Sequence, residues 1–594
     1  MGLLLRLSLV LFGCIYAAIA APNATKTCKC LSSDHCWPEP FTFALLSSEL
    51  TRSAIKPEPP ASPCYPVKNP SGNCTEVQEF WTDGKWRADR IGAMQSPNYE
   101  TFIFSDGKIS ACYLNTTLGV PCRHGSLPYI GVDARTVSDV QLGVKFAHTH
   151  NLRLVVKNTG HDYLGRSTAR GSFVIWTHNM KKITVHCTFT PTGAPTTETY
   201  QSAITLEAGV QWHEAYDAAD AAGRVLVGGV SAGGSVGAAG GWMQGGGHSA
   251  LSPTYGLGVD NVLELTVVTA DGEHRIANSH QDRDLFWALR GGGGGTFGVV
   301  TSVTYRSHPN GQIIVGFLTT SIKTNTTDSS PVLVKLVSEL FHHSSNLTDS
   351  GWGGYAFLIP STPGESLALQ LILVVPNATW AQANETFNPF AERVAALAAD
   401  SGGVLNITNE ATVPYASYKV WLDQFFTFAT GQVGENTILG SRLLPKTSLN
   451  LEPNVTQIAE FMSSFPGGVI FHLVAGGAVS KIDADSVGLN PAWRKAGIHT
   501  VWGDIWPEKT SATEIDAKVT LMKQWLQTAD KVVPNSGAYF NEASLFEDNF
   551  QQVFFGNHYP KLKAIKKRYD PNDLFIVPKG VGSEDWDEQL HCRI

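Results

Sequence analysis

Lys157-Asn-Thr-Gly-His-Asp-Tyr-Leu-Gly-Arg-Ser167 is the stretch on which the reading of this chain turns. Just before it, Leu152-Arg-Leu-Val-Val156 is short and rich in β-branched residues, the pattern of a buried strand. Glycines at 160 and 165 bracket His161, so the backbone can turn sharply and approach a ligand closely. Successive N–H groups in such a turn make a cradle for an anion, and His161 sits in it. An ordinary loop histidine explains the same residues, so the decision comes from the rest of the chain.

Upstream, Val137, Val140, Val144 and Ala147 repeat at helical spacing, with Thr136 or Ser138 as the cap. Phe173–Trp176 and Ala203–Ala208 read as further strands. A second glycine tract runs from Gly228 to His248, and neither a helix nor a strand tolerates so many glycines at about 1 kcal/mol each. A backbone-lined groove pressed against a flat ligand accounts for them, and the apolar residues Val236, Trp242 and Met243 argue against a disordered linker. Leu263–Thr269 alternates as a strand, with Asp271-Gly272 as a hairpin turn. The helix Asp284–Arg290 then leads into Gly291–Gly295, with Val299–Tyr305 as the next strand.

Two competing motifs fail on context. Gly293-Gly-Gly295-Thr-Phe-Gly298 fits the dinucleotide fingerprint, but that fingerprint needs strand, turn, then helix, and here a helix precedes and a strand follows. Gly229-Val-Ser231-Ala-Gly233 fits the nucleophile elbow of a serine hydrolase, but the elbow needs a helix directly after the serine. Gly-Gly-Ser-Val-Gly cannot start one, so a hydrolase using Ser231 is set aside.

The His161 loop, the second glycine tract, Asp284-Leu-Phe-Trp-Ala-Leu-Arg290-Gly-Gly-Gly with Phe297-Gly-Val-Val-Thr301, and a tail with Tyr539-Phe-Asn541-Glu542 occur in one order. In that order the chain resembles FAD enzymes of the vanillyl-alcohol-oxidase/p-cresol-methylhydroxylase (PCMH) type, specifically berberine-bridge-enzyme-like oxidases and their fungal isoamyl-alcohol-oxidase-like members. The resemblance implies an α+β fold: a PCMH-type FAD-binding domain over 124–309, a mixed α/β substrate domain over 310–525, and a C-terminal segment, 526–594, packing back on the FAD domain. Residues 21–123 read as a cysteine-rich extension, and the resemblance is thinnest there.

The resemblance also assigns residues. FAD would be covalently bound through His161. Lys157, Asn158, Thr159, Gly160, Asp162, Ser167, Gly229, Gly233, Val236, Gly237, Gly240, Gly241, Gly247, His248, Val300 and Asn541 would line the cofactor. Many relatives of this kind carry a second bond from a cysteine in the second glycine tract. The aligned position here is Gly233, and no cysteine lies between Cys187 and Cys592, so a single bond is expected. The implied reaction is oxidation of an alcohol by hydride transfer to flavin, with O2 reduced to hydrogen peroxide. Tyr539 matches the flavin-facing tyrosine of the family, and Glu542 stands beside it; these are the candidates for the base. A secondary-metabolite oxidase or cyclase is the alternative, and a carbohydrate oxidase the third reading.

Composition bounds the setting. Residues 1–20 have the positive, apolar and small-residue regions of a secretory signal. The net charge is −8 with no Lys/Arg-rich block, so neither nucleic acid nor a membrane is an expected partner. Ten cysteines are encoded and Cys14 falls in the leader, so in a secreted protein most of the others pair, with Cys187 left free. N-glycans are expected at Asn23, Asn73, Asn115, Asn325, Asn346, Asn377, Asn384, Asn406 and Asn454. No histidines or cysteines show metal-ligand spacing, so no metal is expected.

Overall fold

The strand expected before His161 forms at Leu154–Lys157, at one edge of a parallel three-stranded sheet. Phe173–Trp176 is the central strand and Ile130–Asp133 the far one. The computed structural model describes residues 27–65, 73–323, 329–359, 367–425, 433–465 and 467–594; the expected leader and the sequons at Asn23 and Asn325 lie outside them.

Parallel strands need a crossover, and the helix Val137–Thr149 supplies it. Thr136 Oγ1 accepts from the Asp139 N–H while the Asp139 carboxylate accepts from the Thr136 N–H, a capping box that fixes the helix start. Val140, Val144 and Ala147 are buried on one face against Val132, Phe173 and Ile175. Phe43 and Leu46 from the helix Pro40–Glu49 enter the same core, as do Leu574 and Phe575 from the tail. The N-terminal segment is therefore more than the stapled extension expected. At about 1.5–3 kcal/mol per buried large apolar side chain, its residues are part of what holds the sheet.

Four disulfides form: Cys28–Cys592, Cys30–Cys36, Cys64–Cys74 and Cys112–Cys122. The first ties the two ends of the described chain together. Cys187 is free and exposed, in the edge strand Ile183–Phe189.

A five-stranded antiparallel sheet follows, in the order His274–Asn278, Val262–Val268, Val299–Arg306, Tyr200–Glu207, Ile183–Phe189. The helix Arg283–Leu289 and the strand Val299–Arg306 flank Gly291–Gly295 in the order that excludes a Rossmann turn. After Ser231 comes a single 3-10 turn, Ala232–Gly234, and not the helix of a nucleophile elbow.

The third sheet has seven antiparallel strands, in the order Leu405–Tyr415, Ile313–Ile322, Leu367–Pro376, Gly353–Ile359, Val469–Leu473, Ala496–Trp506, Asn436–Pro445. Alternate residues face opposite ways. Ala356, Leu358, Val469, Phe471, Ile498 and Trp502 join a core with the helices Ser329–Asp349, Trp380–Asp400, Asn454–Ser463 and Ala512–Val532. The intervening residues Tyr355, Phe357, Ile470, His472 and Val501 line a cavity instead. The helix Trp380–Asp400 starts at a capping box of Thr379 and Gln382 and carries Pro389 inside it.

A buried bidentate pair, Arg494 to Asp260 at 2.7 and 2.8 Å, ties the turn that leads into Ala496–Trp506 to the turn that leads into Val262–Val268. Among the described sequons, Asn73, Asn115, Asn346, Asn377, Asn406 and Asn454 are exposed, while Asn384 is half-buried and accepts a hydrogen bond from Thr412. Among the described residues, no helix is long and apolar enough to cross a membrane.

Candidate active site

At the end of Leu154–Lys157 the chain turns through Gly160, whose φ of +79° suits glycine. Asp162 closes the loop by accepting from Arg166 Nε at 2.8 Å and from the Ser167 N–H at 2.9 Å. His161 Nε2 lies 2.8 Å from Ser235 Oγ, so the loop and the second glycine tract meet at this ring. Burial in the cavity pushes the His161 imidazole down to about 3, which keeps it neutral with a free lone pair.

The glycine tract forms the opposite wall. A Cβ on Gly237 would lie 2.5 Å from Asn158 Nδ2, so a side chain there would push the Asn158 amide into the channel. Asn158 Oδ1, Gln244 Oε1 and Arg166 Nη1 are buried without a protein partner, and all three residues line the channel. Buried polar atoms left unpaired cost about 1–3 kcal/mol each, and a flat, polar-edged ligand such as FAD relieves that cost. The residues therefore fit the flavin cofactor. Gly237→Ala should reduce flavin per chain severalfold, read as the flavin-to-protein absorbance ratio; full occupancy would show that Asn158 has room to move.

Most of the residues assigned from sequence line one cavity: Asn158, Thr159, Gly160, His161, Asp162, Ser167, Val236, Gly237, Gly240, Gly241, His248, Val300, Tyr539, Asn541 and Glu542. Lys157, Gly229, Gly233 and Gly247 do not. Lys157 turns its Nζ to the Arg90 and Ile91 carbonyls, at 2.7 and 2.9 Å, and burial pushes it down to about 7. It ties the loop to the N-terminal segment. Gly229 and Gly247 pack against the Trp242 ring, and Gly233 turns beside Lys85 with φ +60°.

The tail reaches the cavity through a bridge of Gly537 to Leu443 and a 3-10 turn, Phe540–Glu542. Asn541 Nδ2 donates to the carbonyls of Gly241 and Trp242 and to the Tyr539 hydroxyl at 2.8 Å, and its Oδ1 accepts from Arg166 Nη2 at 3.1 Å. Asp162, Arg166, Asn541 and Tyr539 thus form one chain from the His161 loop to the tail. Tyr539 is 1% exposed and spends its O–H on the Trp242 carbonyl; burial raises its pKa, and the Glu542 charge adds to that.

Glu542 opens to the cavity and is ringed by histidines. His499 Nε2 lies 2.8 Å from its Oε2, His248 Nε2 3.2 Å from its Oε1, and His472 Nδ1 3.8 Å from its Oε2. Strand register explains the convergence: Tyr355 pairs with His472, and His472 with His499, so all three stand in one cross-strand row. Burial keeps His472 and His499 below the usual histidine range, whereas Glu542, despite its burial, is held well below the usual carboxylate range by these neighbours, His248 foremost. His472 and His499 were missed from sequence, as were the wall residues Tyr355, Phe357 and Ile470. No local motif marks them; the alternation of strands whose pairing was unknown was the one available signal.

Comparisons with known proteins show the family. A family model described as FAD binding domain matches residues 128–278, and one described as berberine and berberine like matches 538–582. An uncharacterized FAD-linked oxidoreductase of Arthroderma benhamiae is 37% identical over 583 residues, 97% of each chain. The crystal structure of the VAO-type flavoprotein MtVAO713 from Myceliophthora thermophila C1 is 30% identical, with a TM-score of 0.85 over 96% of this chain and 100% of that one. Glucooligosaccharide oxidase from Acremonium strictum, which carries a 6-S-cysteinyl, 8α-N1-histidyl FAD, shares the fold at 20% identity, with a TM-score of 0.62 over 80% of this chain and 94% of that one. A chain with these relatives, a glycine-walled channel beside His161 and a berberine-like tail belongs to the VAO-type, berberine-bridge-like FAD-linked oxidoreductases, and is an FAD-dependent oxidoreductase.

Proposed function

We propose that the protein is a secreted flavoprotein oxidase that converts an alcohol to a carbonyl compound. FAD held in the channel beside His161 would supply the two-electron chemistry, with O2 as the acceptor and hydrogen peroxide as the by-product. The observation that carries this reading is a single cavity lined by both His161 and the Glu542 carboxylate.

His161 anchors the cofactor. Ser235 engages Nε2, which leaves Nδ1 for the bond to flavin. One bond is the proposal, because the chain carries no cysteine from 188 to 591. Glu542 accepts the alcohol proton. Three carboxylates line the cavity: Asp162 is taken up by Arg166 and the loop backbone, Glu435 is exposed to solvent, and Glu542 is the one beside Tyr539 and Asn541. Tyr539, the other candidate from sequence, acts as a positioning group, since its hydroxyl is bonded to backbone and to Asn541. Tyr539→Phe should lower kcat about fivefold, the worth of one hydrogen bond near 1 kcal/mol, with flavin content and KM unchanged. A loss of several hundredfold would return Tyr539 to the proton-transfer role.

Tyr355, Phe357, Leu439, Ile470, Val501 and Ile505 give the substrate side an apolar wall, facing a polar group of His248, His472 and Glu542, with Thr437 and Glu435 also lining the cavity. That wall favours an alcohol with an apolar body, a simple alcohol or a secondary metabolite, over a carbohydrate. Primary and secondary alcohols, phenolics and sugars offered to the purified protein in a peroxide-coupled assay separate these classes. Apolar alcohols should be turned over best, and a strict preference for oligosaccharides would reverse the ranking. The leader at 1–20, four disulfides and exposed sequons support an extracellular, N-glycosylated protein.

A further inference from the structure

Three histidines converge on Glu542. His248 and His499 turn Nε2 to its carboxylate, and both nitrogens of His472 are buried without a hydrogen-bond partner. Leaving such atoms unpaired is costly, and three imidazoles meeting at one point is an arrangement that apolar packing does not require. The ring centroids of His248, His472 and His499 lie 4.9–5.6 Å apart. One ligand atom from each histidine and from Glu542 lie within 4.8 Å of one another. A tetrahedral ion with bonds of about 2.0–2.1 Å needs its donors roughly 3.3–3.4 Å apart. The separations from Glu542 Oε2, 2.8 Å to His499, 3.3 Å to His248 and 3.8 Å to His472, straddle that value.

We propose that His248, His472, His499 and Glu542 form a binding site for one divalent transition-metal ion of the zinc class. Imidazole donors select zinc and its late first-row neighbours, and an oxygen-rich shell of the kind magnesium or calcium needs is absent from this cluster. The ligands come from the glycine tract, two adjacent strands of the seven-stranded sheet and the tail. An ion here therefore ties together the three elements that enclose the substrate end of the cavity. Four protein donors make a closed shell, which is the form of site that holds an ion in place and leaves no open position for water. The ion takes Oε2 of Glu542, the oxygen that all three histidines approach, and leaves Oε1 for the alcohol proton of the proposed reaction. The site itself does not depend on an alcohol being the substrate.

The test uses flavin-loaded protein stripped with EDTA, desalted, incubated with zinc chloride and desalted again, with metal measured by inductively coupled plasma mass spectrometry. About one zinc per chain is expected in the wild type. A His472→Ala, His499→Ala double variant should retain less than about a tenth of that, given that loss of even supporting groups costs 10–100-fold in affinity. Equal flavin content in the two proteins confirms that the variant is folded. His472→Ala alone provides a second readout: cobalt(II) should give visible bands to the red of the flavin in the wild type and lose them in this variant. Zinc retained equally by wild type and double variant, or by neither, would overturn the site.

Discussion

His161→Ala protein is expected to release all of its flavin when denatured and washed, whereas the wild type keeps about one flavin per chain. The expectation follows from two observations. His161 is the one histidine in the glycine-turn loop that lines the cofactor channel, and its Nε2 is held by Ser235 while its ring stays neutral. The second attachment found in glucooligosaccharide oxidase needs a cysteine, and this chain has none between Cys187, on the edge strand of another sheet, and Cys592, which is bonded to Cys28. Digestion of the wild type should yield a single flavin-bearing peptide, spanning residue 161, that stays fluorescent at acid pH because no thioether quenches it. The variant can still bind FAD reversibly, since Asn158, Gln244 and the glycine channel are untouched. Flavin that survives denaturation of His161→Ala would place the anchor elsewhere.

Glu542→Gln is expected to lower kcat by about 10²–10⁴-fold, the range for loss of a positioned proton acceptor, or about 2.7–5.4 kcal/mol of transition-state stabilisation. Gln keeps the shape and one acceptor oxygen, so contacts to His248 and His499 are weakened without opening a hole. Flavin content should not change, because Glu542 stands at the substrate end and not in the His161 loop. The split matters: kcat falling with flavin and KM intact is the signature of a group that acts in the transition state. Turnover at the wild-type rate would remove Glu542 from the chemistry.

The channel around His161 was legible because it is local. A strand, a glycine turn and His161 follow one another within a few residues, and the Gly228–His248 tract announces a backbone-lined groove by composition alone. The helix Val137–Thr149 and the hairpin at Asp271-Gly272 were read for the same reason: a capping residue and a turn pair carry their own signal. What sequence misplaced is instructive. Gly229, Gly233 and Gly247 belong to the glycine tract yet serve the close packing of Trp242 or a turn beside Lys85, and composition cannot tell a glycine that faces a ligand from one that faces an indole. Lys157 read as part of the loop but belongs to its support.

The substrate half was not legible, because it is assembled by register. His472 and His499 are 27 residues apart in sequence and become neighbours because Val469–Leu473 pairs with Ala496–Trp506 in one register; a one-residue slip of either strand would turn its histidine toward the helical core. His248 and Glu542 then arrive from two further elements. The expectation of no metal rested on spacing along the chain, and this cluster has no spacing to read.

The central claim is that an alcohol reduces the flavin held in this cavity. Anaerobic mixing of the oxidised protein with the best alcohol from the peroxide screen, followed by absorbance, tests it most directly. The visible flavin bands should bleach in a single turnover and return when O2 is admitted, with one hydrogen peroxide formed per alcohol consumed, and Glu542→Gln should slow the bleaching. Flavin that dithionite reduces but no alcohol in the panel bleaches would contradict the account.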